Sequence, residues 1–369
     1  MKVSRYFIVL IGLAIVFSFV YSWFAVSVNL PQSNQLNKQM IFSWPDEMAS
    51  HAFVSRFIDN GSFVMPEPLN AVLNTYVHPR SVNIVINNIV PMGFLGMLII
   101  YGWLGKLFGL TAVMFFTPLI AAIGVLFFYG LIARIFDKRT GFISALLLFC
   151  LAPFWYYANL GMLSSVLFVS LLIIGLYFFV KQADHKHHQL LSSVAGLFVG
   201  LALTVRLIEF PWVGILILVP TIFYWRKIKW QQIVLFLVGV IIPLVVMLYY
   251  NYHTYGRWLT VGYLTMSGLS FFDRLPNEFR VSTVASMKAY LQFIFVPFGF
   301  HPRTILVNVY HYIARPLAPY LGLSIVGGLL WVAKFKVQSL KLKANLKFKI
   351  NSSSINENCK LKIENSDQR

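Results

Sequence analysis

The sequence predicts an all-α fold: a polytopic helical membrane protein with about eight transmembrane helices and further membrane-surface helices in its first outer loop. Three observations carry this. The chain of 369 residues is 58% hydrophobic, 17% aromatic and only 11% charged, with a mean hydropathy of +0.72, a balance that water-soluble domains do not have. Apolar runs of about 18 residues or more recur, long enough to cross a hydrocarbon core of about 30 Å. The runs are continuous rather than alternating. Inside lipid only helices and closed barrels satisfy the backbone, so continuous runs mean helices.

Taken in order, the candidate spans are 6–28, 111–133, 141–159, 162–180, 190–207, 210–225, 231–250 and 318–335. The first follows Lys2 and Arg5, is too long for a signal-peptide core and has no small-residue cleavage site after it, so it reads as a retained span. The formal net charge of +18 suggests nucleic acid until its distribution is examined. Nine of the 30 basic residues fall between Lys334 and Arg369, and others cluster in "ARIFDKR", "KQADHKHH" and "WRKIKW". This is the pattern of cytoplasmic loops under the positive-inside rule. If the run 89–108 crossed the membrane, all three clusters would lie outside. If it stays on the outer face, they lie inside with both termini, and the charge rule favours that arrangement. A transmembrane domain over residues 1–337 then carries two outer segments, 30–110 and 251–317. Residues 338–369 form a basic cytoplasmic tail, expected to be disordered and to lie near anionic lipid. Cys150 and Cys359 make no disulfide framework, and Asn60-Gly61-Ser62 fits a glycosylation triplet that often arises by chance.

Polar chemistry concentrates on the outer side. Three of the 12 acids sit in "FSWPDEMASHAFVSRFIDNGSF", with Asp46 and Glu47 adjacent. A structural account exists: Ser43 or Trp44 caps a helix, Pro45 takes its first position, and acids in the first turn favour the helix dipole. Glu47, His51, Ser55 and Asp59 would form a polar stripe opposite Ala49, Ala52, Phe53 and Phe57, as in a helix lying on the membrane. The functional account has a carboxylate act as general base towards a hydroxyl while Arg or Lys holds a phosphate leaving group. Chemistry at that depth suits a lipid-linked substrate.

The order of motifs resembles the GT-C class of membrane glycosyltransferases, in particular the protein O-mannosyltransferase and aminoarabinose-transferase (family 39-like) group. The resemblance rests on "PDEMASHAFVSRFIDNGSF" in the first outer loop, "HPRSVNIVINNIVPMGFLGMLIIYGWLGKLFG" after it, the basic turn "ARIFDKRTGFISALLL", and the stretches "GLALTVRLIEF" and "NYHTYGRWLTVGY". It implies a glycosyltransferase that moves a sugar from a polyprenyl-phosphate-linked donor to an acceptor hydroxyl of a protein, lipid or glycan, at the outer face of the plasma membrane. It assigns Asp46 as base and Glu47 as the group orienting the acceptor or Asp46. Arg206 is the candidate for the lipid phosphate, with Arg80, His78, Tyr255 and Tyr263 as further substrate-site candidates. Two departures are visible. "YYANLGMLSSVLF", the second outer loop, has no acid where many relatives carry one, and many relatives are longer.

Other readings compete residue by residue. Arg206 and Glu209, three apart, also read as a local helix ion pair. His78 and Arg80, like His301 and Arg303, also read as loop and headgroup residues, and Asn251, Tyr255, Gly256 and Tyr263 as interfacial aromatics around a turn. His185, His187 and His188 read as a solvated loop. Nothing in the sequence builds a metal site, while some relatives use a divalent cation, so that cofactor stays open. A lipid-linked sugar flippase or transporter would require a polar path through the spans, which the sequence lacks. A non-catalytic envelope-assembly protein would tolerate loss of Asp46.

Overall fold

A computed structural model describes residues 5–29, 42, 44–72, 79–85, 87–182, 187–223, 229–262 and, with short gaps, 301–325. The chain divides into a unit over Met1–Gly299 and a second over Phe300–Arg369. In the second, Pro302–Val309 is helical and Tyr310–Ala314 makes a π turn. The expected span 318–335 lies mostly, and the tail 338–369 wholly, outside the described residues.

In the first unit the apolar runs become helices with lipid-facing sides. They are α1 (Arg5–Asn29), α6 (Phe116–Ile135), α9 (Ser164–Lys181), α10 (His188–Val205) and α12 (Trp230–Tyr255). Among the described residues these five helices, the second extended back to Leu110, are long and apolar enough to cross a membrane, and a bent pair makes up to six. The bent pair is the run expected as one span over 141–159, which forms α7 (Lys138–Cys150) and α8 (Ala152–Ala158) at an angle of 59°. Pro153 explains the break. It has no N–H to offer the Phe149 carbonyl one turn back, and the Tyr21 hydroxyl of α1 donates to that carbonyl instead, at 2.9 Å. Aspartate 137 starts α7 by accepting from the N–H groups of Arg139 and Thr140, an N-cap.

Side-chain contacts fix the direction of each helix. Gly124 meets Ser170 and Gly130 meets Tyr177, so α6 and α9 run parallel. Gly196 meets Phe236 and Gly200 meets Val240, so α10 and α12 run parallel. The Ser192 hydroxyl donates to Gln182 across the α9–α10 turn. The basic turns therefore share one end of the bundle: Arg134, Lys138 and Arg139 around the α6–α7 turn, Lys181 at the end of α9, and Lys229 beside His188 at 3.4 Å. Arg206 lies at the other end, on Ser165 at the start of α9. The chain from 206 to 229 must run from one end to the other. Its helix α11 (Phe210–Phe223) is apolar but has only 14 residues, about 21 Å at 1.5 Å per residue.

The end opposite the basic turns carries the layer that builds the site. Here α2 (Pro45–Asn60) packs on α4 (Gly96–Phe108), with the Phe57 ring where a Cβ on Gly102 would stand. Proline 45 opens α2, and Gly61 closes it at φ 70°, a left-handed position suited to glycine. The run expected to stay outside, 89–108, does not form a spanning helix. It supplies a strand and the 13-residue α4. The short α3 (Leu69–Val72) precedes the hairpin, and α5 (Leu110–Val113) leads into α6.

The all-α expectation needs one correction. A three-stranded antiparallel sheet in the order β1-β3-β2 joins β1 (Met65–Pro66), β2 (Val82–Val85) and β3 (Asn88–Pro91). Asn87, at φ 60°, turns the β2–β3 hairpin. This is a conformation Asn tolerates better than most residues. The sheet is too small to stand alone. It is carried by the helices: the Tyr255 hydroxyl donates to the Pro91 carbonyl at 2.9 Å, and the Asn83 amide donates to the Gly262 carbonyl at 3.1 Å.

Candidate active site at the acidic end of the bundle

The first turn of α2 separates its two acids. Adjacent residues on a helix point about 100° apart, and here one faces outward and the other inward. Asp46 is exposed and accepts a hydrogen bond from the Ser81 hydroxyl. It lines a cavity of about 110 Å³ with Ser50, Phe94, Met162 and Ser164. Glu47 is fully buried. Its Oε1 accepts from the Met162 N–H at 3.2 Å, and its Oε2 has no hydrogen-bond partner among the described residues. Burial pushes its carboxyl up to about 7. The Asp46 charge adds to this, and the Met162 N–H opposes it. One turn on, His51 Nε2 is also buried without a partner, the ring stands 5.0 Å from Phe42, and burial lowers its pKa. The stripe expected to face water therefore begins inside the protein. A helix on this packed layer uses its polar side for interior contacts, not only for solvent.

The Asn159–Ser164 turn forms the facing wall. Gly161 allows it to approach the neighbouring chain: a Cβ there would stand 2.7 Å from the Met114 carbonyl. Its own carbonyl accepts from the Thr117 hydroxyl at 2.6 Å, and Thr117 also pairs with the Tyr101 hydroxyl at 2.6 Å. The turn then opens α9, where Ser165 accepts from Arg206 Nη1 at 3.0 Å. Arg206 ends α10 with φ −145° and ψ 80°, pairs with Glu209 at 3.0 Å and is 34% exposed. Glu209 also accepts from the Trp212 indole. The local ion pair read from the i, i+3 spacing is thus present, and the guanidinium keeps an exposed portion.

A second cavity, of about 400 Å³ and almost wholly apolar, lies between α10, α11, α12 and residues 258–261. Phe94 lines both cavities. Val205 lines the polar one and Leu207 the apolar one, with Arg206 between them in sequence. Of the remaining sequence-derived candidates, Arg80 is exposed next to Ser81. Tyr255 is buried and braces β3 behind the polar cavity. His78 and Tyr263 lie outside the described residues. Sequence reasoning missed Ser81 as the partner of Asp46. Its context, "HPRS" before a β-branched run, does not point to that contact. Among the described residues, no group of three or more His, Cys, Asp or Glu side chains could hold a metal ion. Asp46 is the one carboxylate among the described lining residues of the polar cavity. The described residues of this cavity do not by themselves make a ligand set for a divalent cation.

Residues 90–250 match the model of the family described as "Dolichyl-phosphate-mannose-protein mannosyltransferase" (PMT_2). Among solved structures, the archaeal oligosaccharyltransferase AglB from Archaeoglobus fulgidus, in complex with an inhibitory peptide and a dolichol-phosphate, is similar over 86% of this chain and 37% of its own. The identity is 14% and the TM-score 0.42. The chain therefore spans little more than a third of that protein's length. None of the curated proteins matches the chain. The resemblance read from the sequence holds, although Asp46 and Glu47 precede the matched stretch. Residues 90–250, which supply Arg206 and most of the wall around Asp46, are thus similar to the dolichyl-phosphate-mannose-protein mannosyltransferase family.

Proposed function

We propose that this protein transfers a sugar from a polyprenyl-phosphate-linked donor to an acceptor hydroxyl at the outer face of the membrane. The observation that carries the reading is the meeting of two unlike cavities at Phe94 and Val205–Leu207. One holds a carboxylate and the other is apolar, and the partly exposed Arg206 lies in sequence between the Val205 of one lining and the Leu207 of the other. A lipid phosphate is a charged head on an apolar chain, and this junction offers each part its match. The name of the matched family supports mannose as the first sugar to test.

In the proposed reaction the acceptor hydroxyl gives its proton to Asp46 as its oxygen attacks the anomeric carbon. The bond from that carbon to the phosphate oxygen breaks, and the phosphate leaves with the electron pair on its lipid. Arg206 stabilises the charge that develops there, through donors suited to phosphate oxygens. The donor phosphate competes with Glu209 for the guanidinium. A single displacement inverts the anomeric configuration. Ser81 holds the Asp46 carboxylate in the cavity. The topology that goes with this reading puts the basic turns and both termini in the cytoplasm.

Purified protein in liposomes should be incubated with labelled polyprenyl-phosphate sugars, mannose first, and a membrane extract as acceptor. Label passing to the extract with release of polyprenyl phosphate supports the proposal. Donor lipid that moves between leaflets with its sugar intact would replace it with a flippase.

A further inference from the structure

We propose that Glu47 is a positioning residue that sets the placement of Arg206 relative to Asp46 by bracing the Asn159–Ser164 turn. The proposal rests on the reading of Asp46 and Arg206 given above. Glu47 shares no surface with the cavity that Asp46 lines: it is fully buried and absent from the cavity's described lining. Its bond goes instead to a main-chain N–H, that of Met162, 115 residues away. The turn it holds is otherwise fixed from the far side, through Gly161, Thr117 and Tyr101. Three residues after Met162, Ser165 accepts from Arg206. A continuous set of contacts thus runs from the carboxylate beside Asp46, through the turn, to the guanidinium.

The buried polar groups of α2 and the turn favour this over a catalytic role. Glu47 Oε2, His51 Nε2 and the Asn159 side-chain oxygen are all buried without hydrogen-bond partners among the described residues. None of them is open to a substrate. The carboxyl is held near neutrality by burial, so it can brace the turn without a full buried charge. Gln at this position keeps the acceptor oxygen, whereas Asp is one methylene too short to reach Met162 and Leu has no acceptor.

Amide hydrogen exchange over residues 159–165 should be measured in the full chain for wild type, Glu47→Gln, Glu47→Leu and Glu47→Asp. Loss of one such hydrogen bond corresponds to roughly 5- to 10-fold faster exchange. Leu and Asp should show that increase, while Gln stays within about twofold of wild type. Turnover with polyprenyl-phosphate mannose should follow the same ranking, with donor KM raised in the Asp and Leu variants and little changed in Gln. If Glu47→Leu does not fold, the Gln and Asp pair carries the comparison. Wild-type exchange in the Asp variant would overturn the proposal, as would loss of turnover in the Gln variant with exchange unchanged. The exchange measurement needs neither donor nor turnover, so it judges the role of Glu47 even if the transferase reading fails.

Discussion

Replacing Glu47 by Gln should change how stability depends on pH, and the buried carboxyl fixes the sign. Its pKa rises from an ordinary 4.5 to about 7 in the fold. The folded protein therefore binds this proton more tightly than the unfolded chain does. The associated stability is fully present below pH 4.5 and is lost as pH climbs towards about 7, above which the fold carries a buried carboxylate. A shift of this size corresponds to about 3 kcal/mol. Gln keeps the volume and the oxygen that accepts from Met162 but does not titrate. The stability of Glu47→Gln relative to wild type should therefore grow by about 3 kcal/mol between pH 4.5 and 7 and level off on either side. His51 contributes in the opposite direction, because burial lowers its pKa and acid must charge it. That contribution is common to both proteins and largely cancels in the difference. Melting curves in detergent across pH 4 to 8 provide the assay, and the difference should appear as a shift of a few degrees in Tm. A difference that stays flat across this range would refute the burial argument.

Four further outcomes follow from packing and charge. Gly196→Ala puts a Cβ 2.0 Å from the Phe236 carbonyl, so it should force α10 from α12 and cost about 1–3 kcal/mol. Gly214→Ala, with nothing within 4 Å, should leave Tm unchanged or slightly higher. Thr117→Val removes the hydroxyl shared by Tyr101 and Gly161, which should cost about 1–3 kcal/mol in thermal unfolding and loosen the turn that faces Asp46. In a background lacking Cys150 and Cys359, cysteines at Lys138 and Lys229 should resist an impermeant thiol reagent in intact cells while one at Leu69 labels. The reverse pattern would place the candidate site in the cytoplasm.

The long helices were legible because an apolar run of membrane length has few other solutions. The runs read at 6–28, 162–180, 190–207 and 231–250 appear as Arg5–Asn29, Ser164–Lys181, His188–Val205 and Trp230–Tyr255. Pro153 marked a break that hydropathy alone passed over. The small sheet was harder to see, since Val82–Val85 and Asn88–Pro91 are four residues each and sit within the outer segment 30–110, for which only surface helices are expected. Within the site, the divergence of Asp46 and Glu47 follows from helix geometry, and the Arg206–Glu209 pair from its spacing. The burial of Glu47 was not legible. Its partner is a backbone N–H in a distant turn, and a main-chain donor leaves no residue type to recognise. The contact between Ser81 and Asp46 joins residues 35 positions apart, and a single sequence carries no trace of such closure.

The central claim is that Asp46 takes the acceptor's proton, and turnover of Asp46→Asn with a confirmed polyprenyl-phosphate sugar tests it most directly. Asn keeps the size and still accepts from Ser81, yet cannot take a proton at neutral pH. Removing a general base costs about 10²–10⁴ in rate. The account predicts a loss of turnover in that range with expression, Tm and donor-lipid binding nearly unchanged. Wild-type turnover by Asp46→Asn would contradict it and leave the acid pair as the start of a helix.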